Sequence, residues 1–404
     1  TKTGAGILQL GLTSPLSNPG NFNVNAGTLL IEFGTDLGAP ADKAINLAAG
    51  TTLNAFNLTT RQRWTVNAGA GTFLGNNQDS SVLRYDGAIN LAGTTTIGNG
   101  LGTGRAYDFR GVIGGASGNL VLNNAGNVFF LANNTYGGTT TIASTSGNVY
   151  VGRNSVDGNV DGLATSTVGS LGTGAVTMSS GLISFSRTDD IVVPNTITAT
   201  AGQIVGGATS WPVAVRGGKV TFTGPVSLSG TATYRVSNGV FEFQGALTSA
   251  VAATNFVDAQ AGGAVNASGA FADAAAWLTS GILRSTSVGS LALVGNSAQN
   301  LNFTGYNTLQ LGATTAATYS GTITPGTAGF QLGGGTATVT GAAYDLASPT
   351  FASSVAFGNL RVGAAAAVRN LAVTNTVLTA AAYQDSLDVT ATANVAALTV
   401  TSPA

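Results

Sequence analysis

Arg187-Thr188-Asp189-Asp190 is the sharpest place in this sequence where side chains could do chemistry. Its adjacent carboxylates can bind a cation. Clustered acids with Ca²⁺ and an Arg or Lys base are what polysaccharide-cleaving sites require. An acidic turn between two strands accounts for the same residues equally well. Asp157 and Asp161 flank the loop Val156–Leu163 and could hold Ca²⁺, but a solvated loop is the plainer reading. Glycosidase chemistry needs two carboxylates facing each other across the scissile bond. The two glutamates, Glu32 and Glu242, each lack an adjoining second acid. Arg61-Gln62-Arg63-Trp64 is the densest basic and aromatic cluster. It could stack a sugar or meet an anionic glycan, although a strand edge that turns Trp64 inward explains it more simply. Gly333-Gly334-Gly335 reads as a turn, because no Lys and no helix follow to make a phosphate loop.

What is missing narrows the chemistry further. The 404 residues contain no His and no Cys, which removes the commonest general base, the usual zinc ligands and every Ser-His or Cys-His dyad. The sequence nominates no catalytic residue, no cofactor-binding residue and no metal ligand. Charged residues make up 8%, against about 25% in an ordinary soluble protein. Only Lys2, Lys43 and Lys219 are lysines, and the arginines are scattered. That pattern cannot neutralise a run of phosphates, so nucleic acid is excluded as a partner. No apolar run approaches the roughly 20 residues of a membrane helix.

The elements that would position these groups are short. Runs such as Ile7-Leu8-Gln9-Leu10, Thr28-Leu29-Leu30-Ile31, Asn119-Leu120-Val121-Leu122, Asn148-Val149-Tyr150-Val151 and Leu182-Ile183-Ser184-Phe185 have strand length. Gly, Asn, Ser or Asp bound each of them and supply turns. Tyr85, Tyr107, Phe109, Phe129, Phe130, Tyr136 and Phe185 are spaced as strand residues, for core stacks or a lateral surface. Helical periodicity is confined to Ala270–Leu278, a short helix or a side excursion.

Repetition organises these strands. Ala-Gly-Thr recurs at Ala26, Ala49, Ala70 and Ala92, at spacings of 23, 21 and 22 residues. Gly-Thr-Thr-Thr-Ile occurs at Gly93–Ile97 and Gly138–Ile142, 45 residues apart, which is two such periods. A period near 22 is too short for paired-helix repeats and suits one coil of a parallel β-helix. In such a stack, equivalent positions lie about 4.8 Å apart, so a repeated charge would face its own copy. Thr, Ser, Val and Asn stack without that repulsion, and Asn can form amide ladders. Low charge is therefore expected of this architecture. At about 22 residues per coil, some 350 residues would make roughly 16 coils, a rod on the order of 75 Å long. The threonines of the tripeptide (Thr28, Thr51, Thr72, Thr94) are expected in one column.

Several segments resemble the autotransporter-associated β-strand repeat of bacterial surface proteins. Gly118-Asn119-Leu120-Val121-Leu122 is followed by Asn134-Thr135-Tyr136-Gly137-Gly138-Thr139-Thr140-Thr141-Ile142, then by Leu171–Thr177 and Gly181–Arg187. Near the C-terminus, Val355–Gly363 and Val368–Thr376 resemble the opening strands of a bacterial Ig-like module.

These resemblances imply an all-β protein: a right-handed parallel β-solenoid over 1–345, then an incomplete Ig-like or strand-exchange segment over 346–404. They imply a bacterial, extracellular or cell-surface location. The expected role is non-enzymatic and structural, a building block of a fibre, sheath or stalk that self-associates. The alternatives are an adhesin passenger that binds a surface glycan and a polysaccharide lyase on the same fold. The opening Thr1-Lys2-Thr3-Gly4 reads as the middle of a repeat, which suggests a piece of a longer protein.

Overall fold

The computed structural model describes residues 1–11, 20–31, 43–55, 64–76, 82–99, 106–123, 126–143, 148–152, 166–206, 218–251, 254–335 and 339–341. Within them the chain passes through three faces in a repeating order and closes into a parallel β-solenoid. Val176–Met178, Leu182–Phe185 and Ile191–Val193 make one such circuit before Ile197–Ala199 starts the next. The first sheet has eleven strands, from Ile7–Leu10 to Leu247–Ser249. The second has eight, from Val82–Tyr85 to Val257–Ala259. The third position holds a five-stranded sheet ending at Ile113–Gly114, and further along a seven-stranded sheet beginning at Ile191–Val193.

Register follows from the alternation of apolar and small polar residues, because successive side chains of a strand point to opposite faces. Leu8 stands on Leu29, then Leu53, Leu74, Ile97, Leu122, Ile142 and Met178, one apolar column inside the rod. The outward neighbours in those strands are Thr28, Thr52, Thr96, Val121, Thr141 and Thr177. The second sheet contributes an aromatic column, with Tyr85 stacked on Phe109 at 5.3 Å and Phe109 against Phe130 at 5.9 Å.

The tripeptide threonines do not form the expected single column. Thr28 pairs with Thr52, and Thr72 with Thr95. Thr51 belongs to the corner, where its N–H and hydroxyl both donate to the Ala48 carbonyl, at 3.2 and 2.7 Å. Gly27, Gly50 and Gly71 take left-handed φ values of 70°, 71° and 70°. Gly93 is not among the left-handed glycines, so the fourth tripeptide turns its corner differently and enters the strand one residue out of phase. The tripeptide marks a coil without fixing its register.

Coil length also varies more than the sequence period. Val121 pairs with Thr141, 20 residues on, whereas Thr141 pairs with Thr177, 36 residues on. Longer excursions reduce the count to about 11 turns in place of the expected 16.

The expected excursion at Ala270–Leu278 contains a single helical turn and a half, Ala274–Thr279. It follows the strand Gly263–Gly269, where earlier circuits continue into the first sheet. Asp273 caps it by accepting from the Ala276 N–H, and Trp277 is fully buried against Phe271 and Phe243. The glycines Gly333-Gly334-Gly335 are strand residues within Leu332–Gly335, each with positive φ. That corrects the turn expected there. The Ig-like segment 346–404 lies outside the described residues.

Candidate functional site

The buried asparagines and glycines of the repeat motif are structural, and their geometry explains their spacing. Asn134 is buried; its Oδ1 accepts from the Ile113 N–H at 2.9 Å and its Nδ2 donates to the Ser170 carbonyl at 2.7 Å. One side chain thus ties three successive coils. Tyr136 is fully buried, with its hydroxyl 2.7 Å from that of Thr140. A Cβ on Gly138 would lie 2.4 Å from the Gly118 carbonyl oxygen, so only glycine permits this close approach. On the third face, Asn46 donates to Asn23, Asn67 to Asn46 and Asn90 to Asn67, at 2.7, 2.7 and 2.8 Å. This is an amide ladder of the kind the stacking argument anticipates.

Arg187 and Asp189 come together, but as a clamp. The Arg187 Nε donates to Asp189 Oδ1 at 2.7 Å and its Nη2 to Asp189 Oδ2 at 2.5 Å, while Nη1 reaches the Gly169 carbonyl at 3.0 Å. These hydrogen bonds hold the Asp189 carboxyl below its usual range. Asp190 faces another way and accepts from the Lys219 N–H at 2.9 Å. Both oxygens of Asp189 are committed to Arg187, so a cation would have to displace the guanidinium. Glu242 pairs with Lys219 at 3.2 Å and accepts from Thr221 at 3.1 Å. Burial alone would raise its pKa, but the bonds from Lys219, Gln244 and Thr221 outweigh it and hold the carboxyl below its usual value. Among the described residues, no group of three or more acids is placed to hold a metal ion.

Trp64 turns inward, 3% exposed, and with Tyr85 lines an interior gap of about 10 Å³, room for at most one water. It offers no face to a sugar. Asp157, Asp161, Glu32, Arg61, Gln62 and Arg63 lie outside the described residues.

The charges that sequence reading passed over stand in one outward column of the second sheet. Arg84 pairs in register with Asp108, and further along Arg235 pairs with Asp258, which is followed in the next coil by Arg284. Both aspartates have fully buried side chains. Asp108 Oδ2 lies 3.0 Å from Arg110 and 3.4 Å from Arg84. Asp258 Oδ2 lies 2.8 Å from Arg284 and 3.5 Å from Arg235, and Ser287 donates to its Oδ1 at 3.2 Å. The stack admits charge here because its sign alternates from coil to coil. A usable signal was present: Arg84 and Asp108 are 24 residues apart, Arg235 and Asp258 are 23, and both pairs occupy equivalent strand positions.

Compared with known proteins, the chain matches no family model, no curated protein and no solved structure. The fold itself defines its class. This is a parallel β-solenoid repeat protein, with coils joined by asparagine, threonine and alternating-charge ladders. No helix among the described residues is long and apolar enough to cross a membrane.

Proposed function

We propose that this chain is a non-enzymatic structural rod of a bacterial cell surface, a unit of a fibre, sheath or stalk that self-associates. The observation that carries the reading is where the ionisable groups go. Arg187 with Asp189, Lys219 with Glu242, and the arginines around Asp108 and Asp258 all bind neighbouring strands or coils. Lys2 is buried, with its ammonium donating to the Gly4 and Ala26 carbonyls at 2.7 Å each. Side chains that could do chemistry are spent on stacking. The expected location outside the cell rests on the resemblance of the repeat motif.

Self-association is supported by the edge strand Ile7–Leu10. Ile7 is 55% and Leu8 36% exposed, whereas Leu29 and Leu53, the next residues in the Leu8 column, are buried. An apolar strand edge with unpaired N–H and C=O groups accepts another strand. Negative-stain microscopy with light scattering at tens of micromolar tests the whole reading. Rods that join, and that separate on Leu8→Lys substitution, are expected. Monomeric globules, or release of oligosaccharides from a polysaccharide panel, would overturn it.

A further inference from the structure

We propose that Arg235 and Arg284 form a binding site for the oxyanion groups, carboxylate or sulfate ester, of an acidic polysaccharide. The two guanidiniums flank the single buried carboxylate of Asp258, two cations to one anion. Among the described residues, no second carboxylate forms a salt bridge with either arginine. The Asp258 oxygens are fully engaged, by Arg284 and Arg235 on one side and by Ser287 on the other. They hold the guanidiniums in place without neutralising the excess charge.

The arginines remain available to solvent. Their side chains are 30% and 38% exposed, and only Nη1 of Arg284 makes a hydrogen bond to Asp258. Each guanidinium carries five N–H donors in a planar fork that matches a carboxylate or sulfate. Arg284 is further fixed by lying 4.7 Å over the Phe256 ring. A preorganised donor pair loses less entropy on binding than a free surface arginine.

A polymer fits this site better than a small anion. The site lies on the outer side of a sheet, so one anion there gains little beyond one pair of contacts. The other arginine cluster, Arg84 and Arg110 around Asp108, stands six strands away in the same sheet, roughly 29 Å along the axis. A repeating polyanion running along the rod can reach both clusters, and linked contacts multiply in effect.

The test uses the full chain and titration calorimetry at low ionic strength, with polygalacturonate, dextran sulfate, neutral dextran and sodium sulfate as probes. Both acidic polymers should bind, neutral dextran should not, and sodium sulfate should bind far more weakly than either polymer. Arg284→Gln should lower polymer affinity about tenfold, the loss of one charge-assisted contact. Lys43→Gln removes the same net charge elsewhere and should leave affinity unchanged. Arg284→Lys keeps the charge beside Asp258 but lacks the fork, and should also weaken binding while the melting curve stays close to wild type. Failure of both acidic polymers to bind, or equal losses in Arg284→Gln and Lys43→Gln, would overturn the site. Sulfate binding as tight as the polymers would reduce it to a small-anion site. Rods that fail to bind polymer would remove this site and leave the structural reading standing.

Discussion

Thr72 and Thr95 face each other hydroxyl to hydroxyl inside the rod, 3.0 Å apart although 23 residues separate them in sequence. Both are buried, and their strands pair in register. A polar group in such a position must find its partner one coil away, because the alternatives are apolar. The same rule places Asn134, Asn195 and Asn255, each buried and each bonded to carbonyls of an adjacent coil. Stability in this protein is therefore a property of interfaces between coils, and mutations should report it coil by coil.

Asn134→Ala should be among the more costly surface-to-core changes. It leaves the Ile113 N–H and the Ser170 carbonyl without their present partner. A loss of about 1–3 kcal/mol per buried unsatisfied group is expected. Denaturant unfolding followed by circular dichroism measures it, and a loss below about 0.5 kcal/mol would contradict the bridge.

Gly174→Ala tests the close packing of corners. The added Cβ would lie 2.1 Å from the Gly138 carbonyl oxygen, a backbone atom that cannot swing aside. Overpacking of this kind costs about 1–3 kcal/mol. Gly50→Ala meets no atom within 4 Å, although its φ is 71°. Comparing their midpoints separates steric stacking from backbone preference.

Asp258→Asn should destabilise the second sheet by exposing Arg235 and Arg284 to each other without their shared anion. Removing one member of a buried pair costs 3–5 kcal/mol at the upper limit, and these arginines can turn partly to water, so about 1–3 kcal/mol is expected. Added salt should recover part of the loss by screening the like charges. A salt-independent variant would contradict the electrostatic account.

The acid limb of stability should trace to Glu242 and Asp189. Both carboxyls are held below their usual values in the folded state. A group with a depressed folded pKa contributes stability that is present above its unfolded pKa and is lost as pH falls through the folded value. Melting temperature should therefore drop on acidification below about pH 4. In Glu242→Gln that drop should be smaller, and the variant should differ most from wild type near neutral pH. The effect stays below about 1 kcal/mol, because Lys219 is 37% exposed and the pair is screened. Parallel pH profiles would refute this assignment.

The sequence alone determined that this is an all-β solenoid with coils of about two dozen residues. Short apolar runs between turn residues, a recurring Ala-Gly-Thr and scarce charge leave little else for such a chain to form. It also anticipated the asparagine ladder, since Asn23, Asn46, Asn67 and Asn90 recur at that period. The tertiary structure decided what the period could not. Register depends on backbone conformation at each corner, so Thr28 met Thr52 and Thr72 met Thr95. Coil number depends on excursions that leave the stack and return, as between Thr141 and Thr177. The sharpest sequence candidate, Arg187 with Asp189, became a clamp because the two close a local bidentate pair. Asp108 and Asp258, unremarked in sequence, became the centres of the charged column. Opposite charges one coil apart are distant along the chain and adjacent in space, and only stacking converts the one into the other.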